Sequence, residues 1–257
     1  MICTGRRTSA IRTATLLVLL CASLWALTGC GLAGGTSVVE PSFPVPPGPG
    51  AHLAADGLVM EPASARLTAI GAYAWGKFDE DDRATLEEGL RRMVRRINES
   101  RPSTQPGHTV HVVLRSYQVA VSNTSGTALA CVAWAMSGPD GALLYHEQFY
   151  ATKSATMSST VGGLKEDVNE ALLRRIGLTS AHLASGRHDG LPLRSEDTYL
   201  SFDEVRGELP DRLQSVGMLF GAGHSFVWTA SGGVSWDFSR HPEGVDWPAH
   251  LASRPRR

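Results

Sequence analysis

Apolar side chains recur along the chain with two different periods, and the change between them predicts the order of elements. Leu86, Leu90, Met93, Val94 and Ile97 fall at i, i+4, i+7, i+8 and i+11, which is one face of an α-helix. Glu87, Glu88, Arg91, Arg92, Arg95 and Arg96 occupy the remainder, acids before bases as the helix macrodipole favours. Thr85 followed by Glu88 predicts a capping box near the start of this helix. Upstream, residues 67–75 predict a strand, and the acidic run Asp79-Glu80-Asp81-Asp82 separates it from the helix. From His111 the period shortens to two. Strands are predicted over 111–122, 127–137 and 142–151, separated by the turn sequences Asn123-Thr124-Ser125-Gly126 and Gly138-Pro139-Asp140-Gly141. In the middle strand Val132, Trp134 and Met136 share one face and the smaller Cys131, Ala133 and Ala135 the other, so an antiparallel meander with one well-buried face is expected. Helical spacing returns in Leu164, Val168, Leu172 and Ile176, with Gly177 where that helix would end.

The pattern predicts an α+β domain over 66–184: an antiparallel sheet of about four strands with two helices packed on one face. Residues 185–257 follow as a C-terminal extension for which the sequence leaves two readings, strands that complete the same sheet or a loose appendage, with a short helix expected around 203–218, interrupted by Pro210. Trp228, Trp236 and Trp247 follow in a glycine-containing stretch with few residues able to bury them, which makes them candidates for a partner contact.

The N-terminal region has neither period. Arg6, Arg7 and Arg12 precede a run of about fourteen mostly apolar residues from Ala14 to Leu27, the charged-then-apolar order of a secretory signal peptide over 1–29. At 1.5 Å per residue such a run covers roughly 21 Å of a hydrocarbon layer roughly 30 Å thick, too little for a permanent span. Leu27-Thr28-Gly29-Cys30 stands where the run ends and resembles the lipobox of bacterial lipoprotein precursors at all four positions. The resemblance implies cleavage between Gly29 and Cys30 and modification of Cys30 with fatty acyl chains such as palmitate. Two or three chains on one residue hold a protein stably at a membrane. Pro41, Pro44, Pro46, Pro47 and Pro49 then predict that residues 30–50 are the lipidated cysteine and a Pro/Gly-rich tether, lifting the domain several tens of ångströms from the lipid.

Composition narrows the function. The 257 residues are 42% hydrophobic, enough for a core. Loss of the three leader arginines leaves 21 basic residues against 25 acidic ones, a net charge near −4 with histidines neutral and no nucleic-acid signature. Cys3 and Cys21 leave with the leader and Cys30 is modified, so Cys131 is a single thiol without an internal disulfide partner, read as buried and inert.

Motifs that carry chemistry are few. His108 and His111 lie an odd spacing apart in a strand, which sends them to opposite faces. His146-Glu147 lacks a second histidine, since position 150 is Tyr150. The run 79–82 lacks the glycine and the final glutamate of a calcium loop, having Ala84 and Leu90 there, and reads as a helix N-terminus. Gly223-His224-Ser225-Phe226 begins like a nucleophile elbow, but Val227 replaces the last glycine. Ser225 is therefore the nucleophile of an alternative reading, an anchored serine hydrolase with His182, His188 or His241 as base. Gly221-Ala222-Gly223 lacks the third glycine of a dinucleotide loop.

The strand and helix order over 66–184 is similar in pattern to the α+β domains of several envelope lipoprotein families, including auxiliary lipoproteins of transport systems. That similarity carries no functional residue and implies a binding or assembly module. The leading expectation is a non-enzymatic envelope lipoprotein without metal or cofactor, whose sheet edge or tryptophan-bearing tail contacts another envelope protein; a purely structural surface lipoprotein is the third reading. In double-membrane bacteria an Asp after the lipidated cysteine commonly retains such proteins at the inner membrane. Here that residue is Gly31, so the outer membrane facing the periplasm is expected.

Overall fold

The computed structural model describes residues 37–60, 68–70, 74–76, 78–121, 125–156, 160–187, 199–201, 218–220, 226–229, 235–237 and 244–253. Its elements in chain order are β1 (Gly50–Met60), β2 (Thr68–Ile70), β3 (Ala74–Gly76), α1 (Glu80–Glu99), β4 (Ser103–Val121), β5 (Ser125–Ser137), β6 (Leu143–Thr156), α2 (Val161–Ala184), β7 (Tyr199–Ser201), β8 (Met218–Phe220), β9 (Phe226–Thr229), β10 (Ser235–Asp237) and α3 (Trp247–Ala252). The main sheet has the order β1-β4-β5-β6-β7, with β3 paired to the end of β4. Its pairings are antiparallel except β1 with β4, which run parallel across the α1 connection. The α+β class, the central meander and the two helices on one face match the sequence expectation.

Two boundaries differ from it. The domain begins before residue 66, because β1 completes one edge of the sheet. The expected strand over 67–75 divides between two sheets: β3 joins β4, while β2 pairs with β10 in a second antiparallel sheet of order β2-β10-β9-β8. After 184 the structure takes one of the two readings the sequence left, since β7 (199–201) pairs with β6 of the main sheet. Sheet pairing joins residues far apart in sequence, so hydropathy in a local window cannot draw these limits.

α1 starts earlier than Thr85. The Asp79 carboxylate accepts from the Asp82 N–H at 3.0 Å and Asp82 returns the bond to the Asp79 N–H at 3.1 Å, a capping box built by the acidic run itself. α2 continues past Gly177 to Ala184, because that glycine is a packing position. A Cβ there would lie 2.5 Å from the Phe43 ring and 3.1 Å from Met93 Cγ. α2 is buried on most sides, which blurs the single-face pattern that marks α1.

The proline-rich segment is the largest correction. Residues 37–49 are not a free tether but lie against the two helices. Phe43 is buried in the core beside Gly177. Arg96 donates to the Pro41 and Phe43 carbonyls at 3.0 and 3.5 Å and stacks over the Phe43 ring at 5.3 Å. At the other end Ser37 donates through N and Oγ to Glu166 at 2.9 and 2.7 Å. Composition averages over the segment; a single aromatic anchor and two clamped carbonyls are enough to order it.

The helix-facing core joins Leu86, Leu90, Met93, Val94 and Ile97 of α1 and Leu164, Val168, Leu172 and Ile176 of α2 to Val112, Leu114, Val132, Trp134 and Phe149 of the sheet. A register shift between Leu114 and Ser116 inserts Arg115 as an extra residue, so Leu114 and Tyr117 both belong to this core despite their odd spacing. The opposite face is buried too. Cys131, Ala133 and Ala135 are inaccessible, and Val113, Ala133 and Ala135 pack against Trp247 of α3. The meander thus has two buried faces where one was expected, which is why its outward positions carry small apolar residues. Burial pushes the Cys131 thiol up to about 12, with hydrogen bonds from Tyr150 and Gln148 only partly opposing it. Native protein is expected to leave Cys131 unalkylated by iodoacetamide at pH 8 while urea-unfolded protein reacts fully; equal rates by mass spectrometry would overturn that.

Candidate functional site

The edge strand β1 sets up the first candidate. A sheet edge presents unpaired N–H and C=O groups, and here α1 closes part of that edge with side chains. Asn98 reproduces a strand partner: its Nδ2 donates to the Leu53 carbonyl and its Oδ1 accepts from the Leu53 N–H, both at 2.9 Å. Arg101 donates to the Ala51 carbonyl and to the Ala181 carbonyl of α2, both at 3.1 Å, and burial lowers its pKa from the ordinary value. Beyond Leu53 the edge opens into a groove of about 470 Å³ lined by His52 and Ala55 of β1 and Arg91, Val94, Arg95, Asn98 and Glu99 of α1. Arg91 is held by Glu87 and Glu88 at 3.2 and 3.3 Å, whereas Arg95 is exposed and has no ion pair among the described residues. The groove therefore combines an apolar floor, strand backbone at its wall and a rim that carries Arg91 and Arg95 with one acid, Glu99.

Two buried ion pairs sit deeper. Lys165 of α2 pairs with Asp82 in the first turn of α1, and the Tyr117 hydroxyl donates to the Lys165 carbonyl at 3.1 Å and to Asn169 Oδ1 at 3.0 Å. Burial, with Asp82 adding to it, drives the Tyr117 pKa well above its ordinary value. Glu147 of β6 pairs with Arg175 of α2 and accepts from Trp134 Nε1 at 3.3 Å, while Arg175 lies 5.0 Å from the Phe149 ring centroid. Each pair bridges a helix to another element across the apolar core, so these groups orient the helices and are not open to a ligand.

On the sheet face covered by α3 stands a third array. His111 of β4 places Nδ1 3.1 Å from Asp56 Oδ2 of β1 and Nε2 2.8 Å from Ser137 Oγ at the end of β5. Burial, assisted by nearby His250 of α3, lowers the His111 pKa to about 4.

The sequence candidates fall differently. Gly29, Cys30 and Ser225 lie outside the described residues. Trp228 and Trp236 lie in β9 and β10, where Trp228 pairs with Ser235 and Trp236 with Val227, so they are not cross-strand partners. Trp247 opens α3, is 3% exposed and packs on the main sheet, its ring centroid 5.3 Å from that of His250. In this position it is a core side chain and not a surface. Among the described residues no group of three or more His, Cys, Asp or Glu could hold a metal ion. The groove and the His111 array were both missed: their residues are separated by tens of positions, and each depends on β1, which the sequence did not reveal.

No protein-family model and no curated protein matches the chain. Several solved structures resemble part of it, among them these two. One is a protein of the DUF330 family from Xanthomonas campestris, 13% identical, with a TM-score of 0.38 over 59% of this chain and 92% of that one. The other is a candidate lipoprotein from Caulobacter crescentus, 12% identical, with a TM-score of 0.30 over 51% of this chain and 92% of that one.

Proposed function

We propose that the protein is an envelope lipoprotein, anchored through Cys30, that binds an extended acidic segment of another envelope protein in the groove between β1 and α1. The groove carries this reading. An incoming strand can use the backbone of β1 beyond Leu53, and Arg91 and Arg95 complement negative charge, the four arginines of the α1 C-terminal half making that end of the helix basic. The anchor rests on Leu27-Thr28-Gly29-Cys30 and its position after the apolar run. No described helix is long and apolar enough to cross a membrane.

The packing of residues 37–49 changes the geometry of such an anchor. Only 31–36 separate Cys30 from Ser37, and a chain reaches at most about 3.6 Å per residue, so Ser37 lies within about 25 Å of the lipidated cysteine. The end of the domain bearing Ser37 and Glu166 would face the membrane closely. Gly31 favours the outer membrane, with the domain in the periplasm.

The groove is tested in cells with a photo-crosslinking amino acid at position 52, and with one at position 144, where Leu144 is 46% exposed on β6, as control. The expected result is a discrete protein adduct at 52 alone, reduced at least tenfold by Arg91→Glu with Arg95→Glu. Identical adducts at both positions, a lipid adduct at 52, or no effect of charge reversal would each reject the groove as a protein-binding site.

A further inference from the structure

We propose that Asp56, His111 and Ser137 form a serine acyl-transfer site, covered by α3 at rest, that hydrolyses carboxylic esters with an apolar acyl group. The connectivity is the one that chemistry needs: a carboxylate on Nδ1 and a hydroxyl on Nε2 of the same imidazole, at 3.1 and 2.8 Å. An acid on Nδ1 fixes the tautomer that leaves Nε2 as acceptor for the serine proton. None of the three residues lines the groove, so this activity is separate from the binding role.

The three strands hold the array rigidly. Asp56 belongs to β1, His111 to β4 and Ser137 to β5, where the β5–β6 register shifts between Met136 and Ser137 just before the Gly138–Gly141 turn. His111 and Ser137 are 6% and 4% exposed, so substrate needs an opening, and the covering element is a helix of six residues. Trp247 packs on Val113, Ala133 and Ala135, with Val59, Leu143 and Val245 around them. When α3 lifts, these side chains leave an apolar surface beside the hydroxyl, suited to an acyl chain. His250, on the same helix, has a buried Nε2 without a hydrogen-bond partner among the described residues.

In the reaction Ser137 Oγ attacks the ester carbonyl as its proton passes to His111 Nε2. The carbon–oxygen bond to the alcohol breaks, and the alcohol leaves with that proton. Water then attacks the acyl-serine, again giving a proton to His111, which returns it to Ser137 Oγ as the acid departs. The sum is ester and water to acid and alcohol.

The test is labelling of the purified mature protein with a fluorophosphonate, with peptide mapping of the modified serine, alongside hydrolysis of p-nitrophenyl butyrate. Labelling is expected at Ser137, abolished by Ser137→Ala and lowered at least a hundredfold by His111→Gln, the range general-base removal produces. Trp247→Ala, which loosens the cover, is expected to raise labelling about tenfold. Circular dichroism melts show which variants are folded, and only folded variants enter the comparison. Labelling at Ser225, or none at Ser137 in either the parent or a folded Trp247→Ala protein, would overturn the assignment.

Discussion

Leu90→Asp is expected to leave the domain unfolded at 25 °C. Leu90 is 2% exposed and packs in the core that joins both helices to the sheet. Loss of a buried leucine side chain costs about 2–5 kcal/mol, and an unpaired carboxylate in the same place adds several more. The sum approaches or exceeds the roughly 5–15 kcal/mol that stabilises an ordinary domain. Neighbouring Gly89 leaves little room for adjustment, since a Cβ there would already lie 2.6 Å from Leu173 Cδ1 of α2. Arg92→Asp is the matched control. Its side chain is 41% exposed and its 3.1 Å contact with Glu88 is a surface ion pair, so its loss is expected to cost about 1 kcal/mol or less. Urea denaturation followed by circular dichroism checks both; equal melting of the two variants would show that Leu90 does not dock the helix.

Cys30→Ser is expected to abolish acyl incorporation and release the protein from membranes. No described helix is long and apolar enough to cross a membrane, and a single seryl oxygen cannot take the thioether-linked diacylglycerol that the lipobox resemblance implies. Each buried methylene contributes about 0.8 kcal/mol to membrane binding, so removal of two or three chains eliminates the acyl share of the affinity. Metabolic labelling with a fatty-acid analogue reads the modification, and persistence of label in the variant would refute it. Density-gradient separation of the parent tests the sorting argument from Gly31: co-migration with inner-membrane markers would reject the outer-membrane destination while leaving acylation at Cys30 intact.

The amphipathic face of α1, the β4-β5-β6 meander and the start of α2 were legible because each is a local pattern. Side chains at i and i+4, or at i and i+2, must share a face whatever the rest of the chain does, and turn residues between strands announce themselves by backbone chemistry. The buried state of Cys131 followed from the apolar run around it, since alternation alone places it opposite the well-buried face. The Arg115 bulge was not legible, since a one-residue insertion changes which positions face the core without changing composition.

What the chain alone determined, then, is the class of fold and the helix-facing core, with Leu27-Thr28-Gly29-Cys30 after its apolar run as a lipobox resemblance, all of which depend on neighbours within a turn or two. Tertiary structure decided everything that requires closure over distance: the parallel seat of β1 beside β4, the docking of Phe43 against Gly177, the pairing of Asp82 with Lys165 and of Glu147 with Arg175, and the meeting of Asp56, His111 and Ser137. Phe43 has no period to betray it, and Asp56, His111 and Ser137 are separated by 55 and 26 positions. Their contacts arise because the sheet places three strands side by side, and a hydrogen bond depends on distances of a few tenths of an ångström that no spacing along a sequence encodes.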